Sequence, residues 1–190
     1  MILIVLMLFP GFLFAQENIS KQQENKKAVY DSLRQQNKFE LQVLIRMKND
    51  TALYIINNME FPSSGIATTF NILKNKAGKI LMVSVYPYCE SGDWFVGFTH
   101  YFDEQGNTFA FERLTSFYNS KCTSGLANEK IIKYYSSTFT ELKNTYSLTD
   151  SKNIPLKKSS CDLPYQFDYS VFKNVNEVYK QNHIPNPSLK

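Results

Sequence analysis

Cys89, Asp93 and His100 are the nearest this sequence comes to a nucleophile, an acid and a base in one stretch. A cysteine beside an imidazole can attack a carbonyl, because the base removes the thiol proton and leaves a strong nucleophile. The spacing argues against that use. Cys89 lies in a connection containing Pro, Ser and Gly, while His100 lies well along the strand that follows, roughly 20 Å away on an extended chain. Unless the loop folds back, the Cys89 thiol is left to a disulfide or stays free. Pro62-Ser63-Ser64-Gly65 lacks the flanking glycine of a G-x-S-x-G elbow and reads as a turn. Asp103-Glu104 sits at a hairpin tip, where carboxylates are solvated. Glu90, Asp93 and Glu112 are further acids, and nothing in the sequence sets two of them across a cleft, as glycoside hydrolysis requires. The 7 glycines form neither G-x-G-x-x-G nor a phosphate-binding loop. Residues 103–107 have the wrong spacing of oxygen ligands for calcium. His100 and His183 are far apart and no C-x-x-C is present, so no metal site is expected. No cofactor is called for, and the catalytic residues, if the chain is an enzyme at all, go unnamed by its sequence.

The better-resolved chemistry is aromatic. In Trp94 to Phe102, alternation places Trp94, Val96, Phe98, His100 and Phe102 on one face and Phe95, Gly97, Thr99 and Tyr101 on the other. In Thr108 to Tyr118, Phe109, Phe111, Arg113, Thr115 and Phe117 share a face, and Ala110, Glu112, Leu114, Ser116 and Tyr118 the opposite one. Asp103-Glu104-Gln105-Gly106 suits the turn between them, with Gly106 left-handed. As a ligand site, Trp94, Phe98, Phe109 and Phe111 would wall a cavity, with His100 and Arg113 as polar anchors. As a structural face, the same residues fill a core with His100 and Arg113 near its edge. The sequence favours the packed core, since aromatic strand faces are how sheets bury area.

Other elements must hold that hairpin. Ser20 to about Lys38 reads as a helix with a thin apolar stripe of Ala28, Val29 and Leu33, and an approximate capping signal at Ser20. Phe39 to Met47 fits either period and is assigned to helix; Thr51 to Phe61 is equally ambiguous. Ala67 to Leu73 and Lys79 to Tyr86 flank Asn75-Lys76-Ala77-Gly78, a hairpin loop. Ile131 to Tyr135 and Glu141 to Leu148 read as another hairpin about Ser136-Ser137-Thr138, in preference to a helix from Asn128 to Leu142. Asp150 to Leu163 reads as a loop. Ser170 to Gln181 reads as a helix capped by Ser170, with Val171, Phe172, Val175, Val178 and Tyr179 on one face. The fold class is α+β: an antiparallel meander of about five or six strands, with an N-terminal and a C-terminal helix packed on it.

The first residues set the compartment. Met1 to Ala15 carry no charged side chain, and the polar run Gln16-Glu17-Asn18 begins at once. That stretch is shorter than the roughly 20 residues needed to span a bilayer and matches the apolar core of a secretory leader. Residues 1–15 are assigned to a signal peptide and 16–190 to one globular domain. No transmembrane segment is expected in the mature chain, and the location expected is the periplasm, the cell envelope or outside the cell. In such a compartment Cys89, Cys122 and Cys161 permit one disulfide and leave one thiol. Cys89 and Cys122 fall at the same end of the expected sheet, which favours their pairing; Cys122 with Cys161 is the rival.

Apolar residues make up 43% and charged residues 20% of the 190, a globular balance. A net charge of +4 is too weak and too scattered for a nucleic-acid partner. Leu13-Phe14-Ala15-Gln16, Phe61-Pro62-Ser63-Ser64-Gly65, and Ser91-Gly92-Asp93-Trp94 leading to His100-Tyr101-Phe102-Asp103-Glu104-Gln105-Gly106-Asn107 together resemble uncharacterised small exported proteins of Bacteroidetes-type bacteria. The resemblance implies an envelope or secreted location and carries no activity. Three functions are open: a non-enzymatic exported module binding a protein, glycan or peptide partner; a small apolar-ligand carrier; and an envelope hydrolase. The first is the expectation.

Overall fold

The computed structural model describes residues 9–35, 40–57, 60–118 and 120–185. Helix α1 (Phe9–Gln35) is followed by β1 (Glu40–Met47), β2 (Leu53–Ile56), β3 (Ile66–Lys74), β4 (Ile80–Pro87), β5 (Trp94–Phe102), β6 (Thr108–Phe117), β7 (Ala127–Tyr135) and β8 (Glu141–Asp150). A single 3-10 turn (Lys158–Ser160) and helix α2 (Val175–Gln181) complete the chain. The strands form one antiparallel sheet in the order β2-β1-β3-β4-β5-β6-β7-β8. Residues 1–8 of the expected leader lie outside the described residues; 9–15 belong to α1.

The α+β class and the meander agree with the sequence, and the strand number is higher. The extra strands lie at the start. Glu40–Met47, assigned to helix, is β1, and Leu53–Ile56 is β2. Val43, Leu44 and Ile45 are buried in succession because the sheet is covered on both faces, and such a strand loses its two-residue alternation. The hairpin β7–β8 forms as expected, and no helix spans Asn128 to Leu142. Gly106 is left-handed, φ 81°, as the β5–β6 turn requires.

The two helices lie on opposite faces. On one, Tyr30 of α1 packs with Leu73, Leu81, Met82, Tyr101, Phe109, Ala110 and Tyr134. On the other, Val178 and Tyr179 of α2 pack with Leu44, Phe70, Ile72, Val83 and Phe102. The burying stripe of α1 agrees only in part with the apolar one read from sequence. Leu33 packs against the core, but Ala28 and Val29 are exposed, and the buried positions are Ser20, Lys27 and Tyr30. Lys27 is buried because it meets two acids, Asp31 at 2.8 Å and Glu112 at 2.7 Å. Burial alone would lower its pKa; Glu112 and Asp31 outweigh that and raise it. Ser20 bonds Glu24 within the helix instead of capping it.

α2 is shorter than expected and starts five residues later. Its cap is Asn174, which accepts from the Glu177 amide at 3.0 Å, while Glu177 accepts from the Lys173 amide at 2.8 Å. Ser170 to Asn174 is extended. It belongs to a strap, residues 161–174, that crosses the sheet on the α2 side.

Candidate functional site

Where the sequence allows a cavity, the strap supplies a filling. Tyr165, Phe167, Tyr169 and Phe172 descend on the aromatic face of β5 and β6. Trp94 meets Phe167 at 4.6 Å and Tyr165 at 6.1 Å between ring centroids. Phe111 stacks on Tyr169 at 5.2 Å, and Phe98 lies 6.5 Å from Tyr169. His100 lies between Phe111 and Phe172, at 4.9 and 5.6 Å. Of the six residues put forward as a ligand site, five (Trp94, Phe98, His100, Phe111 and Arg113) do share this face, through the pairs Phe98↔Arg113 and His100↔Phe111. Phe109 does not. A bulge opposite Tyr101 and Phe102 adds one residue to β6 and turns Phe109 with Ala110 toward α1, where its ring meets Tyr30 at 5.6 Å.

His100 is sealed. Its Nε2 accepts the Phe172 amide at 3.1 Å, so the ring proton sits on Nδ1, which has no partner among the described residues. Burial pulls its pKa from 6.5 down to about 3. A neutral buried imidazole resists protonation in the fold but takes a proton freely when unfolded. Stability is therefore complete above pH 6.5 and falls as the pH drops toward 3, by about 1.4 kcal/mol per unit from this residue. His100→Gln keeps an acceptor and removes the titration. Urea midpoints measured from pH 7 to 4 should fall less steeply in this variant, and parallel slopes would exclude the assignment.

Arg113 borders open space. It donates to Glu129 at 2.5 Å and to the Phe167 carbonyl at 3.3 Å, and lies over the Tyr169 ring. Glu129 also accepts from Tyr146 at 3.1 Å. These residues border a groove of about 810 Å³ beside the strap, with Lys158, Tyr165 and Asp168 on its rim. The two carboxylate oxygens of Glu129 are taken by its cation and its phenol.

The cysteines correct the favoured pairing. Cys122 bonds Cys161, and Cys89 is a free thiol. The ends of β4 and β6 are at the same end of the sheet, but β5 lies between them. Two strand spacings, roughly 9.6 Å, exceed the reach of a disulfide. Cys161, which begins the strap, comes directly to Cys122 instead. Cys89 bonds Ser91 at 3.3 Å. Its small burial raises the thiol pKa, and the Ser91 hydroxyl with the amides of Trp94, Gly92 and Asp93 outweighs this and lowers it. The hydrogen bonds of Cys89 and His100 go to different partners, so the nucleophile and base are not brought together.

One open surface lies on the α1 side at an end of the sheet. Phe95, Tyr88 and Tyr118 are 40%, 53% and 55% exposed there. Strand alternation puts Phe95 with Tyr86 and Leu114 on this face, and Tyr88 and Tyr118 directly follow the last residues of β4 and β6. Tyr86 and Phe95 stack at 5.6 Å with planes 30° apart. Gly97 makes this possible: a Cβ there would come within 2.7 Å of the Tyr86 ring. Beside the rings is a cleft of about 220 Å³, bordered by Arg34, Asn71, Gly97 and Glu112. Arg34 of α1 donates to the Tyr86 hydroxyl at 3.4 Å. The sequence separated these strand faces correctly, but the α1-side residues Phe95 and Tyr118 were read as the lesser face, because exposure depends on where α1 stops.

Among the described residues, no group of three or more His, Cys, Asp or Glu could hold a metal ion. Comparison with known protein families, with curated proteins and with solved structures finds no match to this chain.

Proposed function

We propose that the chain is an exported, non-enzymatic binding module that presents the α1-side aromatic platform, Tyr86, Tyr88, Phe95 and Tyr118, to a partner in the envelope or outside the cell. The observation that carries this reading is the exposure of three large rings together, Phe95 on β5 and Tyr88 and Tyr118 just past the ends of β4 and β6. Clustered exposed aromatic area is how soluble proteins mark interaction sites. Export is supported by the apolar leader-like stretch before Gln16 and by the Cys122–Cys161 disulfide, which needs an oxidising compartment. No helix among the described residues is long and apolar enough to cross a membrane.

The same geometry favours the other two functions less. An apolar-ligand carrier built on the β5–β6 face would need a hollow where Phe98, Phe111 and the strap rings pack. A hydrolase working through a nucleophile and an imidazole would need them in contact, and the buried His100 contacts a backbone amide and aromatic rings.

The test is adsorption of the purified full chain to envelope fractions of the producing cell. Phe95→Ser with Tyr118→Ser should weaken adsorption about tenfold or more, whereas Ile154→Ser, an equally exposed apolar site elsewhere, should leave it unchanged. Equal adsorption by all three proteins would exclude the platform as the binding surface.

A further inference from the structure

We infer that the platform and its cleft bind a neutral polysaccharide, with one sugar ring seated in the cleft beside Tyr86 and Phe95 and the neighbouring rings of the chain laid along Phe95, Tyr88 and Tyr118. This inference rests on the binding-module reading and names its ligand class.

A sugar ring has a flat C–H face and a rim of hydroxyls that both donate and accept. It is recognised by an exposed aromatic plane with planar polar groups at its edge. The α1-side surface supplies both parts. Tyr86 and Phe95 form the ring wall, and the absence of a side chain at Gly97 lets the Tyr86 ring lie down on β5. Beside this wall stand a guanidinium (Arg34), an amide (Asn71) and a carboxylate (Glu112), giving donors and acceptors together. Asn71 makes no side-chain hydrogen bond to another described residue. Glu112 receives Lys27 on Oε2. The cleft volume of about 220 Å³ suits a single ring.

Charge selects the ligand further. Arg34 and Glu112 border the same small cleft with opposite signs, so neither a phosphate nor a uronic acid finds a surplus of cations. A protein partner is the weaker fit, because the centre of a protein interface is depleted in charge, and here Arg34 and Glu112 border the cleft together with the rings. The exposed rings continue past the cleft onto β4 and past the end of β6, so the surface is longer than one sugar and suits a repeating chain.

Affinity electrophoresis of the full chain tests this, with galactomannan, xyloglucan and mixed-linkage β-glucan as neutral probes and alginate as the anionic one. At least one neutral probe should retard the native protein. Phe95→Ala should weaken that retardation about tenfold, Phe95→Tyr should restore it, and Ile154→Ser should not affect it. Circular dichroism melts establish that each variant is folded. Retardation by alginate alone overturns the neutral-sugar assignment. If no neutral probe acts, yet platform-dependent adsorption to envelopes persists and is destroyed by protease digestion of the envelope, the partner is a protein; the polysaccharide inference then fails and the binding module stands. If adsorption is also independent of the platform, both fail.

Discussion

Replacing Arg113 by Met should lower the free energy of unfolding by about 3 kcal/mol, at the low end of the range for breaking a buried ion pair. The Arg113 and Glu129 side chains are 13% and 7% exposed and meet at 2.5 Å. Removing the cation leaves a carboxylate that has given up its water. Tyr146, at 3.1 Å, and Lys158, at 3.8 Å, remain to stabilise it, which is why the loss stays near 3 kcal/mol. The Phe167 carbonyl loses its donor too, so the strap should loosen at its middle. The double variant Arg113→Met, Glu129→Leu should regain most of the loss, because an apolar pair of similar volume needs no desolvated charge. Urea denaturation of the native chain, both single variants and the double variant provides the cycle. A double variant as unstable as Arg113→Met would show that packing under Tyr169, not stranded charge, sets the effect.

Cys161→Ser should cost about 4 kcal/mol, the largest single effect expected in this chain. Cys122 and Cys161 are 39 residues apart, and opening a loop of that length returns about this much conformational freedom to the unfolded state. The bond also pins the strap where little else does. The Asp162 amide bonds the Ser120 carbonyl at 2.7 Å, but Lys121–Asp162 is an exposed pair of small value. Between Leu163 and Val171 the strap has no backbone ladder to the sheet, and the aromatic contacts must hold it. Reductant should lower the unfolding midpoint of the native chain to that of Cys161→Ser, and Cys89→Ser should leave it unchanged. A native midpoint insensitive to reductant would contradict the pairing.

What the sequence made legible followed the local signals. β5 and β6 alternate clearly, Gly78 marks the β3–β4 turn and Gly106 the β5–β6 turn, and these four strands appear within a residue of their expected bounds. β1 was illegible because its two buried faces erase alternation, and Phe109 was misplaced because a bulge breaks the count without any glycine to announce it. The strap was the largest omission. Tyr165, Phe167 and Tyr169 alternate as a strand would, yet the segment pairs with no strand, so periodicity alone gave no hint of its destination. The α1 stripe was read only in part for a different reason. Beside Leu33, its contact surface includes Lys27, which a hydrophobic pattern does not count and which is buried because Glu112, 85 residues away, meets it. The candidate platform was visible as one side of two strands; that it stays bare depends on the path of α1.

The strap also fixes the order in which the molecule can be completed. Its far end is stitched to the β5–β6 turn: Thr108 N–H donates to the Lys173 carbonyl and Val175 N–H to that of Gly106. The meander can assemble from neighbouring hairpins as it is synthesised or threaded through a membrane. Until the last part of the chain emerges, Trp94, Phe98, Phe111 and Phe117 face water with nothing above them. A prematurely ended chain would therefore carry a finished sheet with an adhesive side, so a nascent copy depends on chaperoning until its final segment arrives.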